Sequence, residues 1–457
     1  MADVTAPLNR ILEIDATSRL FPAHRELVPQ LNELYELQLA FIESELLNDD
    51  DLIRNGAYFS RVGEVLTRHF LICSGEPVRL PRHSSTRLKS FFQRNQFRTG
   101  YATHGLFPYR GKFHPQMIKG LINAMGLRPG DTVLDPMMGS GTTLIEARLM
   151  GIKSIGIDAS PFCCFMVNAK LGALTLPLGP VRLAVKDSRR VFEYFRSLAG
   201  QASPGSKTRS EAYQRDMSSF MENKGHYGLT YVRDELKLGE ETSVDAFKFL
   251  LLAYLDSAGY SERSTRVAPY DQFRAILERY LFVAEKIQRV LEGAEKDLSP
   301  SEALIGDART LPLATESVDG VVFSPPYSFA IDYVANDSFH LNYLGVDTVD
   351  LRKQMIGLRG KTMKDRFALY KEDMAQVLAE CARVLRPRRI CSIIVGTNNN
   401  QLSRVLALAP EQVPGIDEIL IELGDQHGLR LVRKLSRQIT GMANTMRTEY
   451  IVMLQRK

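Results

Sequence analysis

A short apolar run, Thr132-Val133-Leu134, opens directly into Asp135-Pro136-Met137-Met138-Gly139-Ser140-Gly141-Thr142-Thr143, and Leu144 to Met150 then carries helical character. Strand, glycine loop and helix in this order form the opening unit of a parallel sheet with helices on both faces, which leaves the chain few folds to choose from. Glycines in such a loop let the backbone approach a ligand closely, and the helix start that follows offers unpaired N–H groups. A second buried run, Ser154 to Ile157, ends in Asp158, nineteen residues beyond Gly139 and well placed for a pair of ribose hydroxyls. The unit therefore suits a nucleoside-like ligand. No Gly-Lys-Ser/Thr follows the loop, and its spacing departs from Gly-x-Gly-x-x-Gly, so phosphate binding is disfavoured.

A third apolar run, Val318 to Phe323, leads into Ser324-Pro325-Pro326-Tyr327. Pro325 and Pro326 have no backbone N–H and a fixed φ, so this turn presents carbonyl oxygens from a stiff frame, and the Ser324 hydroxyl adds a further acceptor. Acceptors of this kind assist an exocyclic amine, a poor nucleophile because its lone pair is delocalised into an aromatic ring. Tyr327 supplies a flat face on which a base taken out of a helix could stack. An ordinary strand-ending turn is the competing structural reading. Ala303-Leu304-Ile305 reads as another strand, delivering Gly306-Asp307 to the same sheet edge. There Asp307 suits an adenine amino group or, equally, a plain turn.

Together these residues resemble the S-adenosylmethionine-dependent amino methyltransferases of DNA. The glycine motif of that family reads Asp-Pro-Phe-x-Gly-Ser-Gly-Thr-Thr, and its catalytic motif is Ser, Asp or Asn followed by Pro-Pro-Tyr. A serine in first place is similar to the cytosine-N4 branch. Thr103-His104-Gly105, Pro108-Tyr109 and Lys112-Phe113-His114-Pro115 are similar to the segment that precedes the family's cofactor loop, as is Ala330-Ile331-Asp332-Tyr333 to its later part. The resemblance covers residues 101–170 and 301–457 and implies an α/β, Rossmann-like doubly wound methyltransferase sheet closed by a terminal antiparallel strand pair. It further implies S-adenosyl-L-methionine as cofactor, held by Phe113, Asp135, Pro136, Gly139, Gly141, Thr142, Asp158 and Asp307, and catalysis by Ser324, Pro325, Pro326 and Tyr327 on a flipped base of duplex DNA. Asp135 is read either as a tie for the loop or as a contact to the cofactor's ammonium group. No metal is required, and carbon-5 methylation would need a Pro-Cys motif that is not found. The implied partners are DNA and, in a restriction setting, a partner endonuclease. Adenine-N6 methylation, RNA guanine-N2 methylation through a related Asp-Pro-Pro-Tyr turn, and a non-catalytic DNA-binding subunit stand as alternatives. Two departures are Met137, where the family has phenylalanine, and a long segment between Asp158 and Asp307, earlier than the usual target-recognition insert.

The chain of 457 residues, with a formal net charge of +5, is compatible with a polyanionic partner, and the distribution of charge says more than the total. Between Pro77 and Lys112 there is no acid, while Arg79, Arg82, Arg87, Lys89, Arg94, Arg98, Arg110 and Lys112 alternate with Phe91, Phe92, Phe97, Tyr101 and Tyr109. This stretch reads as a phosphate-contacting arm, or as a solvated basic face. A second basic tract, Arg352 to Lys371, follows the catalytic motif. Cys73, Cys163, Cys164, Cys381 and Cys391 show neither metal-ligand spacing nor a disulfide framework, and no leader or membrane-length apolar run is read, so a cytoplasmic protein with reduced thiols is expected.

Four regions are expected: 1–100, an N-terminal helical region and basic arm; 101–171, the first catalytic part; 172–300, a mainly helical insertion; and 301–457, the second catalytic part. Leu31, Leu34, Leu37 and Phe41 mark one helical face in the first. The insertion, with a polar stretch from Gly200 to Gly225 and helices around Val244–Leu255 and Tyr270–Leu291, reads as target recognition, a lid or a brace. Met374, Val377, Leu378, Cys381 and Leu385 define a helix stopped by Pro387, followed by a strand at Ile390–Val395 and a closing pair at Arg430–Ser436 and Glu449–Leu454. His104, His114 and Asp332 are weaker single-residue candidates.

Overall fold

Apolar runs without polar alternation demand burial on both faces, and the sheet they build is covered on both. The computed structural model describes residues 20–29, 31, 33–74, 100–109, 111–201, 244–262, 266–294, 297–326, 332–396, 399–409, 412–438 and 448–457. Ten strands are described: β1 Arg25–Leu27, β2 Phe59–Val62, β3 Val65–Leu66, β4 Thr132–Asp135, β5 Lys153–Asp158, β6 Ser301–Ile305, β7 Val318–Phe323, β8 Leu385–Gly396, β9 Leu429–Gln438 and β10 Thr448–Arg456. The last seven form one sheet in the order β6-β5-β4-β7-β8-β10-β9. All neighbours from β6 to β8 run parallel, and β10 alone is reversed, antiparallel to both β8 and β9. The order steps outward from β4 to β6 and then restarts at β7 on the other side, so the tips of β4 and β7 flank the switch point where ligands of open α/β sheets bind.

Strand alternation sorts the core into two layers. Val133, Val322, Ile394, Ile451 and Met453 face the helix Pro115–Ala124 and the N-terminal unit. Leu134, Val321, Phe323, Ile393, Val452 and Leu454 face the helices Met363–Val384 and Ile416–Gln426. The N-terminal unit docks closely, since a Cβ on Gly120 would stand 2.6 Å from the Tyr58 ring.

That unit is not purely helical, contrary to the expectation from its leucine spacing. Its three helices, Leu34–Leu46, Asp49–Asn55 and Arg68–Ser74, accompany an antiparallel sheet of β1, β2 and β3. The expected buried face also differs, because Leu34 and Phe41 are exposed while Tyr35, Glu36, Leu39, Ala40 and Glu43 are buried. Glu43 turns inward because its carboxylate accepts from the amides of Ala57 and Tyr58 and from Asn123 Nδ2.

In the insertion, Val244–Ser261 and Pro269–Leu291 are helices, joined by Leu178–Lys186 and Ser188–Gln201, which the sequence reading did not include. These helices share one apolar cluster with Phe162 and Phe165 of the helix Pro161–Gly172 and with Val334, Leu341, Tyr343, Leu344 and Leu351, downstream of the Ser-Pro-Pro turn. The helix expected to stop at Pro387 ends at Val384. Strand β8 begins at once, accommodating Pro387 beside a register shift and a left-handed Arg388. Among the described residues no helix is long and apolar enough to cross a membrane, and none of the five cysteines is in a disulfide. Residues 75–99, with most of the basic arm, and the stretch 202–243 lie outside the described residues.

Candidate active site

The glycine loop is fixed from behind by the strand that precedes it. Asp135, fully buried at the end of β4, accepts from Met137 N at 3.1 Å and from Thr143 Oγ1 at 2.7 Å, so it ties both ends of the loop together. Burial pushes its carboxyl up to about 7, against the pull of those two hydrogen bonds. Gly141 caps the helix Thr142–Leu149 at φ +75°, and a Cβ there would stand 2.6 Å from Val167 Cγ2. Only glycine meets both demands. Lys170, fully buried on the neighbouring helix, donates to the Ser140 carbonyl at 3.2 Å, and burial lowers its amine to about 7.

Asp158 joins the tip of β5 to the same loop. Its Oδ2 accepts from Gly139 N at 2.9 Å and its Oδ1 from Ser160 N at 2.8 Å, while burial raises its pKa against these amides. Each oxygen keeps acceptor capacity for a further donor. The Gly139 N–H, being spent on Asp158, is not presented to an anion. Asp307, just beyond β6, is clamped by Arg309 through Nε at 2.9 Å and Nη2 at 2.7 Å. Burial raises the Asp307 pKa, but the Arg309 hydrogen bonds outweigh it and hold the carboxyl below its usual range.

These strand ends open on one cleft. Pro136 to Ser140, Asp158 to Ser160 and Gly306 to Ala308 form one side, Gly111 to Phe113 and Tyr109 cover it, and Ser324, Pro325 and Pro326 stand at the next strand end. Tyr333, Val334, Leu341, Leu351 and Gln354 to Ile356 complete the lining. Phe113, Pro136, Gly139, Asp158, Asp307, Ser324, Pro325 and Pro326 thus share one cavity, whereas Asp135, Gly141 and Thr142 are not part of its lining. Tyr327, Ala330 and Ile331 lie outside the described residues. Ser324 Oγ reaches the Pro325 carbonyl only at 3.4 Å, a weak contact. Tyr109 stacks on Tyr333 with ring centres 6.4 Å apart.

The single-residue candidates hold structural positions. His104 Nε2 lies 2.7 Å from Glu146 Oε1 with both side chains buried, and burial lowers the imidazole pKa against that partner. His114 is buried at the start of the helix Pro115–Ala124. Asp332 caps Tyr333–Asn336 and pairs with Arg352. Of the second basic tract, Arg359 is engaged by Asp373 and Lys353 by Asp350. Sequence reasoning missed Glu146, Lys170 and Arg309 as parts of the site's support. A lysine inside the apolar run Phe162 to Leu171, and an arginine two positions after a strand-end aspartate, were the available signals. Lys112, read as one of the arm's cations and as part of the segment before the cofactor loop but not as a site residue, lines the cleft and donates to the His104 carbonyl at 3.0 Å, and burial lowers its amine to about 8.

The donor set fits a nucleoside with an amino-acid tail. Carboxylates with spare acceptor positions stand at two adjacent strand ends, apolar side chains enclose the rest, and no Walker-type lysine loop is present for phosphates. Among the described residues no group of three or more His, Cys, Asp or Glu side chains is placed to hold a metal ion.

A doubly wound sheet with one reversed strand next to its edge, and such a cleft at its switch point, define a methyltransferase-type Rossmann-like domain. Residues 76–168 match the family model described as DNA methylase. It is similar to the type II methyltransferase M.MjaII of Methanocaldococcus jannaschii, with 50% identity over 15% of this chain and 13% of that protein. It is 24% identical to the type II methyltransferase M.BsoBI of Geobacillus stearothermophilus over 55% of this chain and 54% of that protein. A tRNA (guanine(10)-N2)-dimethyltransferase of Methanothermobacter thermautotrophicus is 42% identical over 11% of this chain and 16% of that protein. The chain thus spans at most about half the length of these curated relatives.

Proposed function

We propose that the protein transfers a methyl group from S-adenosyl-L-methionine to the N4 amino group of cytosine in duplex DNA, acting on a base turned out of the helix. The observation that carries this reading is the convergence of Gly139, Asp158 and Ser324 to Pro326 on one cleft. The bound cofactor supplies a methyl group activated on a sulfonium. Asp158 would hold the ribose hydroxyls, Asp307 the adenine amine, and Phe113, Pro136 and Gly139 the remainder. The Ser324 hydroxyl and the Pro325 carbonyl accept hydrogen bonds from the target amine and turn its lone pair toward the methyl donor, and Tyr327 stacks the base. Positioning supplies much of the acceleration, because the two reactants are held in adjoining parts of one cavity. The proton lost from the amine leaves through this acceptor pair to solvent, without a covalent enzyme intermediate.

Adenine-N6 methylation uses the same geometry and is separated only by the product. RNA guanine-N2 methylation is the second reading, favoured by the similarity to a tRNA methyltransferase. The test is nucleoside mass spectrometry of duplex DNA and of transfer RNA after incubation with purified protein and methyl-labelled cofactor. N4-methylcytosine is expected in DNA. Label in N6-methyladenine or in RNA guanine alone would replace the reading. Tyr327→Ala should strongly impair transfer while leaving cofactor affinity within about threefold, as loss of a stacking face predicts.

A further inference from the structure

We propose that Arg309 is the positioning residue that makes the cleft select an adenine-type ring amine over a ring carbonyl, by fixing Asp307 as an ionised acceptor on the cleft's lining. The inference rests on the cofactor reading above and deepens it. A carboxylate offers about four acceptor positions. Arg309 N and Nε both reach Asp307 Oδ1 at 2.9 Å, and Nη2 reaches Oδ2 at 2.7 Å, with Nε also 3.1 Å from Oδ2. Three N–H groups therefore engage both oxygens, with the Nε–H shared between them, and the carboxylate so held lines the cleft with 41% of its side chain exposed.

The guanidinium is itself held. Its Nη1 donates to Asp373 Oδ1 at 2.9 Å and its Nη2 to the Gln354 carbonyl at 3.0 Å, and its side chain is 11% exposed. Asp373 is anchored in the core on the helix Met363–Val384 and also receives Arg359 Nη2 at 2.6 Å. Gln354 begins the stretch Gln354 to Ile356, which also lines the cleft. One planar cation thus sets the direction of Asp307 and the position of the neighbouring Gln354 backbone together. The same hydrogen bonds keep Asp307 ionised, and an ionised carboxylate only accepts. A ring amine meets it as a donor, whereas a ring carbonyl in that place presents lone pairs to lone pairs. Lysine, with one rotatable point charge, does not reproduce the fork.

The test is calorimetric titration of the full chain with S-adenosylhomocysteine and with its inosine counterpart, which carries a carbonyl in place of the amine. The wild type should bind the adenosine form about ten- to a hundredfold more tightly, as a half-exposed site built around one hydrogen bond requires. Arg309→Lys should reduce that ratio to about threefold or less, chiefly by weakening the adenosine form. Asp373→Asn, which loosens the guanidinium without touching the cleft, should lower the ratio in the same direction, with circular dichroism confirming the fold of each variant. Should Arg309→Lys fail to fold, Asp373→Asn decides alone. A wild type that binds neither compound overturns the cofactor reading itself. Equal binding of both by the wild type, or an unchanged ratio in the variants, overturns the role of Arg309 and leaves the cofactor reading standing.

Discussion

Gly141→Ala tests how the loop is built. The residue sits at φ +75°, where a Cβ approaches Val167 Cγ2 at 2.6 Å and Cγ1 at 2.7 Å, and Val167 is fully buried. Left-handed backbone costs a residue with a Cβ about 1–2 kcal/mol. Forcing a methyl group into closed packing costs about 1–3 kcal/mol more. Gly141→Ala should therefore destabilise the fold by roughly 2–5 kcal/mol in urea titrations followed by circular dichroism. Gly139→Ala is the internal control: its φ is +46°, but its Cβ would meet only Tyr109 Cε1 at an ordinary 3.5 Å. That variant should lose only the backbone part, about 1–2 kcal/mol. Val167→Ala removes the methyl groups that clash, so Gly141→Ala combined with Val167→Ala should be less damaging than the sum of the single changes by about 1–2 kcal/mol. A Gly141→Ala protein within about 0.5 kcal/mol of wild type, or an additive cycle, would refute the steric account.

Further outcomes can be measured separately. Asp135 has its carboxyl raised by burial to about 7, so the fold favours its protonated form and loses stability as pH rises from about 4 to about 7. Asp135→Asn should remove that slope, so that the variant-minus-wild-type difference in urea midpoint changes across this window and is flat above about pH 8. Lys170→Met replaces a buried amine by an apolar chain of similar length, and it should leave stability unchanged or higher while weakening cofactor binding about three- to tenfold, because the Ser140 carbonyl loses its tether. Exposed Lys361 and Lys364 have no part in the Asp373 network, and changing both to Gln should lower the slope of log affinity for DNA against log salt by about 2, whereas Arg359→Gln should act on stability instead.

Much of the sheet was legible because its strands are buried on both faces and end in punctuating residues. Thr132 to Asp135, Ser154 to Asp158 and Val318 to Phe323 lie where their apolar runs indicate. Face assignment failed in the helix Leu34–Leu46, since the groups that draw Glu43 inward include Asn123, eighty positions away. Periodicity carries no trace of such a partner. The end of the helix Met363–Val384 was misplaced because Pro387 signals a stop without excluding a strand that starts before it. In the cleft, Gly139, Asp158 and Ser324 stand in short motifs whose spacing is informative. Glu146, Lys170 and Arg309 are single polar residues whose meaning arises only from distant partners, and their roles emerge only when the chain is folded.

The inserted helices and the segment after the Ser-Pro-Pro turn share a single interior. Phe195 accepts through its carbonyl from Tyr343, Leu255 through its carbonyl meets His340, and Val334, Leu341 and Leu351 serve that interior and the cleft at once. Neither piece is therefore an exchangeable cassette. A graft of either half would have to carry the other with it, and changes on the inner surfaces where they meet should disturb both the insertion and the cleft wall.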